Sequence, residues 1–259
     1  MLDNIEKHSK LECFFFLRYI CIIVSIMKRL LFFVLALFCM QLVFAQEVNN
    51  VQVIDSLDHK YKEDQYYFGV TYNTLTSMPN GMRQNGFSSG FHVGLMKDMP
   101  INKRRNVAIG IGLGYSTNSI NHNLLISKAQ NDTYTYVILD NSEFTKNKFV
   151  QHLVEIPLEF RWRTSTASTY KFWRIYSGIK LGYVFASNTK FKNASEQIKN
   201  NNIKDFNQLQ YGLTFAIGYD SWNAYLHYTL NSIFDSKAQI DDDNLDVKML
   251  KIGIMLYIL

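Results

Sequence analysis

The ionisable side chains best placed to do chemistry in this 259-residue sequence recur at even spacings within two segments. This spacing puts them on one face if each segment is a β-strand. The set comprises Glu155, Glu159, Arg161 and Arg163 in the first segment and Arg174 and Lys180 in the second. Four further candidates for the same cluster are His92, His227, Asp220 and Lys251. Acids, bases and histidines gathered in this way could form a charged constriction or a proton-linked site.

The same cluster also has a purely structural interpretation. An eight-stranded barrel is only wide enough to be filled by its own side chains, and charges inside it are tolerable when they are paired. We therefore expect a closed lumen held by salt bridges across the barrel, in preference to a charged pore.

Other reactive sites find little support in the sequence. All three cysteines, Cys13, Cys21 and Cys39, precede residue 46, in a region that we expect to be removed or never made. The mature chain would then lack a disulfide, a cysteine nucleophile and a cysteine metal ligand. The predicted long loops contain one histidine, His122, and no combination of nucleophile, histidine and acid. We predict that the protein is not an enzyme and carries no cofactor.

Two short motifs resemble ligand sites but have simpler explanations. Asp241-Asp242-Asp243 with Asp246 could bind a hard cation such as Ca²⁺, but the run is more typical of a solvated loop tip, so we predict no metal. Gly110-Ile-Gly112-Leu-Gly114 forms the small-residue face of a strand, since it does not open a helix as a phosphate-binding loop does. The net charge of +5 is too small and too dispersed to indicate nucleic-acid binding.

The chain carries an export signal near its N-terminus. Lys28-Arg29 are followed by the apolar run Leu30 to Phe44, and Val43-Phe44-Ala45 precedes Gln46. This is the pattern of a cleaved secretory signal peptide, here residues 27–45. We interpret residues 1–26 as a spurious extension before the true start at Met27, and residues 46–63 as a periplasmic segment.

Alternation with period two then predicts eight strands in residues 64–259. They are Gln65–Asn73, Gly86–Met96, Asn106–Ser116, Val150–Arg163, Trp173–Phe185, Gln208–Tyr219, Trp222–Asn231 and Val247–Leu259. Most run about 10–14 residues, which matches the ~9–11 residues that a tilted strand needs to cross a bilayer. One face of each strand is apolar, and the other is rich in Gly, Ser and charge, as expected of a narrow polar lumen. The fold class is therefore all-β, an eight-stranded antiparallel transmembrane barrel in the outer membrane of a Gram-negative cell.

Aromatic residues and connection lengths support the same prediction. The aromatics at the strand ends suit the two membrane interfaces; they are Tyr66, Tyr72, Phe87, Tyr115, Trp162, Trp173, Tyr183, Phe185, Tyr219, Trp222 and Tyr228. Short connections (Lys97–Arg105, Thr164–Lys171, Asp220-Ser221) alternate with longer ones (Thr74–Asn85, Thr117–Phe149, Ala186–Phe206, Ser232–Asp246). Short periplasmic turns and long outer loops give this alternation.

Two stretches resemble known sequences. Lys251, Gly253, Leu256 and Ile258 in the last strand resemble the C-terminal signal read by the barrel assembly machinery, with Leu259 in place of the usual aromatic residue. His152 to Arg161, with Glu155-Ile156-Pro157-Leu158 at its centre, resembles a strand of Bacteroidota outer-membrane barrels of the PorT-like, porin-annotated family. Tyr176-Ser-Gly178-Ile-Lys-Leu-Gly182-Tyr183 is similar to the strand that follows it there. The likeness extends over roughly Tyr66 to Leu259.

This resemblance implies a structural or accessory role in protein secretion, linked to the type IX system and gliding. Its partners would be outer-membrane lipid, the barrel assembly machinery and proteins of the secretion apparatus. Two alternatives are a small passive porin and a surface-binding barrel that acts through its long outer loops. Eight strands leave a lumen too narrow for protein to pass, so a role in secretion would be exercised beside something larger.

One residue of the family motif tests the strand register. Proline cannot donate a hydrogen bond to a ladder, and a closed barrel has no edge strand to accommodate it. We therefore predict a bulge or a missing ladder bond near Pro157.

Overall fold

The computed structural model describes residues 64–129, 133–164, 172–240 and 243–258. The predicted extension 1–26, signal peptide 27–45 and periplasmic segment 46–63 lie outside the described residues. The strands are β1 (Gln65–Thr76), β2 (Ser89–Pro100), β3 (Val107–Asn121), β4 (Leu124–Lys128), β5 (Tyr134–Ile138), β6 (Lys146–Arg163), β7 (Trp173–Lys192), β8 (Gln197–Asn201), β9 (Leu209–Tyr219), β10 (Trp222–Thr229), β11 (Gln239–Ile240), β12 (Asp243–Asn244) and β13 (Lys248–Ile258). Within these described ranges, no helix is long and apolar enough to cross a membrane.

Eight of the strands form a closed antiparallel barrel. Their order around the barrel is β6, β3, β2, β1, β13, β10, β9 and β7, and the pairing of β6 with β7 closes the ring. The first and last strands lie side by side, with Tyr66 opposite Ile258. The predicted eight-stranded barrel is confirmed.

The outer wall of the barrel is an apolar belt between two rings of aromatic residues. On β9, side chains alternate between exposed apolar and buried polar or small residues along the whole strand. At the periplasmic end, Trp173 contacts Tyr219 with ring centroids 5.6 Å apart, and at the outer end Tyr115 and Phe185 are 6.2 Å apart. The ten residue steps from Trp173 to Tyr183 span about 24 Å along the membrane normal at a tilt of ~45°, which matches the ~25 Å apolar band of such barrels.

The strands extend further outward than the alternation pattern predicts. β3 continues to Asn121 and β6 begins at Lys146, so the predicted 33-residue loop Thr117–Phe149 is largely strand and contains the hairpin β4–β5. The loop predicted at Ala186–Phe206 likewise holds the end of β7 and its partner β8. These polar extensions lack the apolar outward face that marks a membrane strand, because they lie above the membrane.

The ladder is irregular close to the proline of β6. Pairing between β3 and β6 is interrupted between Ile111↔Leu158 and Gly114↔Glu155, opposite Pro157, and pairing between β6 and β7 shifts between His152 and Leu153. The predicted missing ladder bond is therefore confirmed on the β3 side, since the proline nitrogen has no hydrogen to donate.

Candidate functional site

The periplasmic end of the lumen is closed by an acid between two arginines. The Asp98 carboxylate accepts from Arg161 Nη1 at 3.0 Å and from Arg163 Nη2 at 2.8 Å, with all three side chains fully buried. Arg163 also donates to the Arg105 carbonyl at 2.8 Å, and the Arg161 guanidinium lies 4.1 Å from the Tyr176 ring centroid. Charged, multiply bonded contacts of this kind are the strong ones in proteins.

Asp98 is a site residue that the sequence analysis missed. It falls in the predicted turn Lys97–Arg105, but β2 continues to Pro100 and carries Asp98 into the lumen. The available signal was the inward alternation of His92, Gly94 and Met96, which Asp98 continues by two residues.

The middle of the lumen is organised around Glu155. Its carboxylate accepts from Lys180 Nζ at 3.0 Å and from Ser116 Oγ at 2.7 Å. His92 Nδ1 lies 3.4 Å from the same carboxylate, and Lys251 Nζ lies 4.0 Å away. These groups come from β6, β7, β3, β2 and β13 in turn. A single buried carboxylate thus links five of the eight barrel strands, and its charge is met by cations.

The remaining predicted residues lie at different places. Glu159 is buried, with Oε2 at 3.7 Å from Arg161 Nε. The Arg174 guanidinium lies 4.6 Å from the Phe172 ring centroid at the periplasmic end, and His227 is buried on β10 opposite Lys251. Asp220 does not join them: it occupies the tight turn between β9 and β10 with φ of 57°, so its proposed place in the lumen is wrong. A left-handed turn position suits aspartate, whose short side chain tolerates this conformation.

Among the described residues, two spaces between these layers of the lumen are very small. The cavity lined by Glu155, Lys180 and Lys251 has a volume of about 10 Å³, at most the space of one water molecule. The gap beside Glu159 and Tyr67 leaves no measurable volume. Glycines on β3 make this filling possible, because a Cβ on Gly110 would lie 2.6 Å from Arg161 Cδ and one on Gly114 would overlap the Tyr67 hydroxyl.

Above the lumen, the outer loops form an apolar cap. Its buried members are Leu75, Met82, Ile120, Leu124, Ile126, Tyr136, Phe149, Ile203, Phe206, Ile233, Phe234, Ala238, Leu245, Val247 and Met249. Phe149 is completely buried at the centre, with its ring centroid 5.2 Å from that of Phe206 and 6.1 Å from that of Phe234. The cap closes the outer end of the barrel as a small hydrophobic core.

Several polar side chains are buried in this cap, and His122 and Tyr136 are two of them. His122 Nδ1 accepts from the Leu124 amide at 3.1 Å, and burial lowers the pKa of its imidazole to about 3, so the ring is neutral in the folded protein. The Tyr136 hydroxyl donates to Asp205 at 2.8 Å; burial, with that hydrogen bond as the second cause, raises the pKa of Tyr136. The Tyr136 bond joins the hairpin β4–β5 to the segment that contains Asp205, whereas the His122 bond is local to its own segment.

Little in the described part of the chain suggests catalysis or metal binding. No group of three His, Cys, Asp or Glu side chains among the described residues could hold a metal ion. Asp241 and Asp242 of the acidic run lie outside those residues. Glu155 and His92 are close enough for a hydrogen bond at 3.4 Å, and the cavity beside Glu155 has a volume of about 10 Å³.

The comparison with known families agrees with this geometry. Residues 44–237 match the model of a family described as "Outer membrane protein beta-barrel domain". The chain belongs to this family. The protein is accordingly an outer-membrane β-barrel.

Solved structures and curated sequences add little to the family assignment. The attachment invasion locus protein Ail of Yersinia pestis is similar to this barrel at 10% identity and a TM-score of 0.35, covering 76% of this chain and 97% of that chain. A chain from a structure described as "Asymmetric conductivity of engineered proteins" is similar at 8% identity and a TM-score of 0.20, covering 76% and 100% respectively. No curated protein matches the sequence.

The two predicted sequence motifs occupy defined positions in the barrel. Within Glu155–Leu158, Glu155 and Pro157 point into the lumen, whereas Ile156 and Leu158 are exposed on the lipid-facing wall. In the last strand, Lys251 and Gly253 lie on the lumen face of the sheet, and Leu256 and Ile258 lie on its outer face. Each motif therefore contains residues that pack inside the lumen and apolar residues that face the lipid.

Proposed function

We propose that this outer-membrane barrel does not conduct solutes and acts at the cell surface, as a binding protein that presents its outer cap. The observation that carries the proposal is the filled lumen around Glu155, where groups from five strands meet with space for at most one water. A passive porin needs a continuous aqueous path, and eight-stranded barrels are filled by their side chains.

The cap presents an ordered, accessible surface at the outer end of the barrel. Strands β6 and β7 rise beyond the outer aromatic ring, and the hairpin β4–β5 is folded onto the same apolar core. At the hairpin, Val137 has 49% of its surface exposed, while Tyr134 and Ile138 are half-buried against the core. An ordered outer structure that presents apolar residues suits contact with a partner better than an unstructured loop would.

Single-channel conductance tests this proposal. The purified barrel in a planar bilayer should give no steady current above the leak, and Phe149→Ala, which loosens the cap and leaves the lumen unchanged, should give none either. A double variant, Glu155→Ala with Lys180→Ala, empties the centre of the lumen and serves as the positive control. A stable conductance from the unmodified chain would support the porin alternative and reject ours.

An accessory role in type IX secretion is the finer proposal, and the resemblance of Glu155-Ile156-Pro157-Leu158 to PorT-like barrels supports it. In that role the barrel would act beside a larger pore. Deletion of the gene should then abolish release of type IX cargo into the medium. A protein that stays inside intact cells is the control and should not appear in the medium. A copy starting at Met27 should restore release, which would also support the signal peptide at 27–45. Normal release would remove the secretion role and leave surface binding.

We further propose that the protein is not an enzyme, that it needs no cofactor or nucleic acid, and that Lys251, Gly253, Leu256 and Ile258 present the last strand to the assembly machinery. Replacement of Ile258 by aspartate should then reduce the amount of assembled barrel in the outer membrane, while Ile101→Asp in a periplasmic turn should not.

A further inference from the structure

Five lysines lie on one face of the outer extensions of β6, β7 and β8. Lys148 is directly opposite Lys190, and Lys190 is in turn directly opposite Lys199. Lys146 is opposite Lys192 one pair further out. Residues facing each other across neighbouring strands have their Cβ atoms only about 5 Å apart. The three-strand sheet therefore carries a row of three lysines with a fourth and fifth beside it; we name these five residues the lysine row.

The lysine row is electrostatically unfavourable in isolation. Like charges directly opposite one another destabilise a sheet, and within the described residues none of the five forms an ion pair with a carboxylate. Partial burial, followed by the charges of Lys146 and Lys190, lowers the pKa of the half-buried Lys148. Its one polar contact among those residues is Ser119 Oγ at 3.5 Å. A bound anion would remove this repulsion.

The depth of the lysine row relative to the membrane follows from β6. Lys146 and Lys148 lie on the same side of β6 as the lipid-facing Val154 and Ile156. Between them sits His152, which with Tyr115 belongs to the outer aromatic ring: His152 Nδ1 is 2.7 Å from the Tyr115 hydroxyl. Lys148 lies four residue steps from His152, or about 9 Å along the membrane normal at a ~45° tilt. An extended lysine side chain of about 6 Å can reach back over most of that distance.

We propose that the lysine row binds the phosphate groups of anionic glycolipid in the outer leaflet surrounding the barrel. Phosphate oxygens carry concentrated negative charge and accept from several ammonium groups at once. The row lies on the side wall, above the lipid-facing belt, so its cations point along the membrane surface and not into the medium. A lipid headgroup in the surrounding leaflet would lie beside these cations, whereas a soluble anionic partner would approach the top of the cap.

The experiment compares lipid binding by matched charge variants of the full barrel. Purified protein in nanodiscs of phosphatidylcholine, with and without a minor fraction of lipid A, is tested for co-purified lipid A and for thermal stabilisation by it. Lys148→Gln, Lys190→Gln and Lys199→Gln are combined in one variant. Each lysine near a charged membrane surface contributes about fivefold, so the triple variant should bind lipid A roughly 100-fold more weakly.

The matched control removes three positive charges from the same end of the barrel without touching the row. Arg83, Lys128 and Lys237 are exposed and dispersed over the cap, and their combined change to Gln should leave lipid A binding within a fewfold of the parent. Without lipid A, the row variant should be as heat-resistant as the parent or more so, because repulsion is relieved; that measurement distinguishes lost binding from misfolding.

Three results would overturn the proposal. The first is unchanged lipid A binding by the row variant, and the second is an equal loss in the control variant, which would show general attraction between charges. The third is complete displacement of lipid A by millimolar inorganic phosphate, which would make the row a site for the free anion. If the lipid-binding proposal fails, the proposal of a non-conducting barrel still stands, because single-channel conductance tests it separately.

Discussion

The lumen and the outer cap are both closed to solvent, but different interactions fill them. In the lumen, Glu155 and Asp98 are buried among lysines, arginines and histidine, and each carboxylate has at least two polar partners. In the cap, Phe149 lies within a cluster of buried apolar side chains, with buried polar residues such as His122 and Asn147 beside it. The barrel therefore has a polar interior and an apolar outer wall that faces lipid. The cap has the reverse arrangement, with apolar side chains inside, as in a water-soluble domain.

The difference teaches where each region should be vulnerable. A buried ion pair adds little net stability compared with apolar packing, but loss of one partner leaves an uncompensated charge. An apolar core depends instead on the area and volume that it buries. We expect single changes of charge to damage the barrel as a whole, and single changes of volume to loosen the cap while the barrel persists.

The largest effect should follow Glu155→Ala. The change leaves Lys180 and Lys251 buried without their shared carboxylate, and breaking a buried pair in this way costs about 3–5 kcal/mol. Urea unfolding in phospholipid vesicles, followed by fluorescence of the three tryptophans, measures the loss.

The matched variant combines Glu155→Ala with Lys180→Met and should recover part of that stability, because it removes the second charge and keeps its volume. If the single variant unfolds at the same urea concentration as the parent protein, the lumen does not depend on its ion pairs and the comparison with the cap fails.

Phe149→Ala should come next, with a local loss of about 3 kcal/mol from the cap. The ring packs against Phe206, Phe234 and His122 and is completely buried. The expected sign is trypsin cleavage at outer-loop lysines and arginines while the barrel keeps its folded mobility on unheated gels.

Phe160→Ala is the control, since Phe160 lies on the same strand but is exposed on the lipid-facing wall. It should leave the cap resistant to trypsin. Unfolding of the whole barrel by Phe149→Ala would show that cap and lumen form one cooperative unit.

Acid should weaken the cap through His122. Its pKa is lowered from 6.5 to about 3 in the folded protein, so the unfolded cap binds the extra proton first as the pH falls. The stability that the neutral ring confers is complete above pH 6.5, declines between pH 6.5 and 3, and is about 2 kcal/mol smaller at pH 5.

Trypsin-type cleavage is unsuited to acid, so pepsin sensitivity and hydrogen exchange of the cap amides between pH 7 and 4 provide the measurement. His122→Gln should give a cap whose exchange rates, after correction for intrinsic pH dependence, change less over this range. An equal change in both proteins would assign the acid response to another group.

The smallest effect should be that of Tyr136→Phe. It removes one hydrogen bond to a buried carboxylate of Asp205 at 2.8 Å, which is worth about 1–2 kcal/mol. Hydrogen exchange in the hairpin β4–β5 should increase, and Tyr134→Phe on the same strand should leave it unchanged. An effect as large as that of Phe149→Ala would mean that polar contacts, and not apolar packing, hold the cap.

The alternation of apolar and polar side chains along the strands made the barrel predictable. The cap could not be predicted from this pattern. Membrane strands must place apolar residues outward at every second position, so the eight strands and the lumen position of Glu155 could be read directly. Several cap residues, such as Phe206 and Phe234, come from connecting segments that follow no fixed period. Their mutual packing depends on the three-dimensional arrangement of four loops.

The errors in the predicted site arose at strand ends. Asp98 was predicted in a turn but lies in the lumen. Asp220 lies in the turn predicted at Asp220-Ser221 and not in the lumen cluster to which it was also assigned. Where a strand stops is decided by turn geometry, as the φ of 57° at Asp220 shows, and alternation alone carries no information about it.

The adjacency of the first and last strands makes this barrel suitable for circular permutation. Tyr66 and Ile258 face each other at the periplasmic end, so a short linker there could join β13 to β1 and a new opening could be placed in an outer loop. In such a permutant, Lys251–Ile258 would occupy an internal strand with its neighbours unchanged. Whether that molecule still inserts would separate the information carried by the residues of β13 from the information carried by their position after the other barrel strands in the chain.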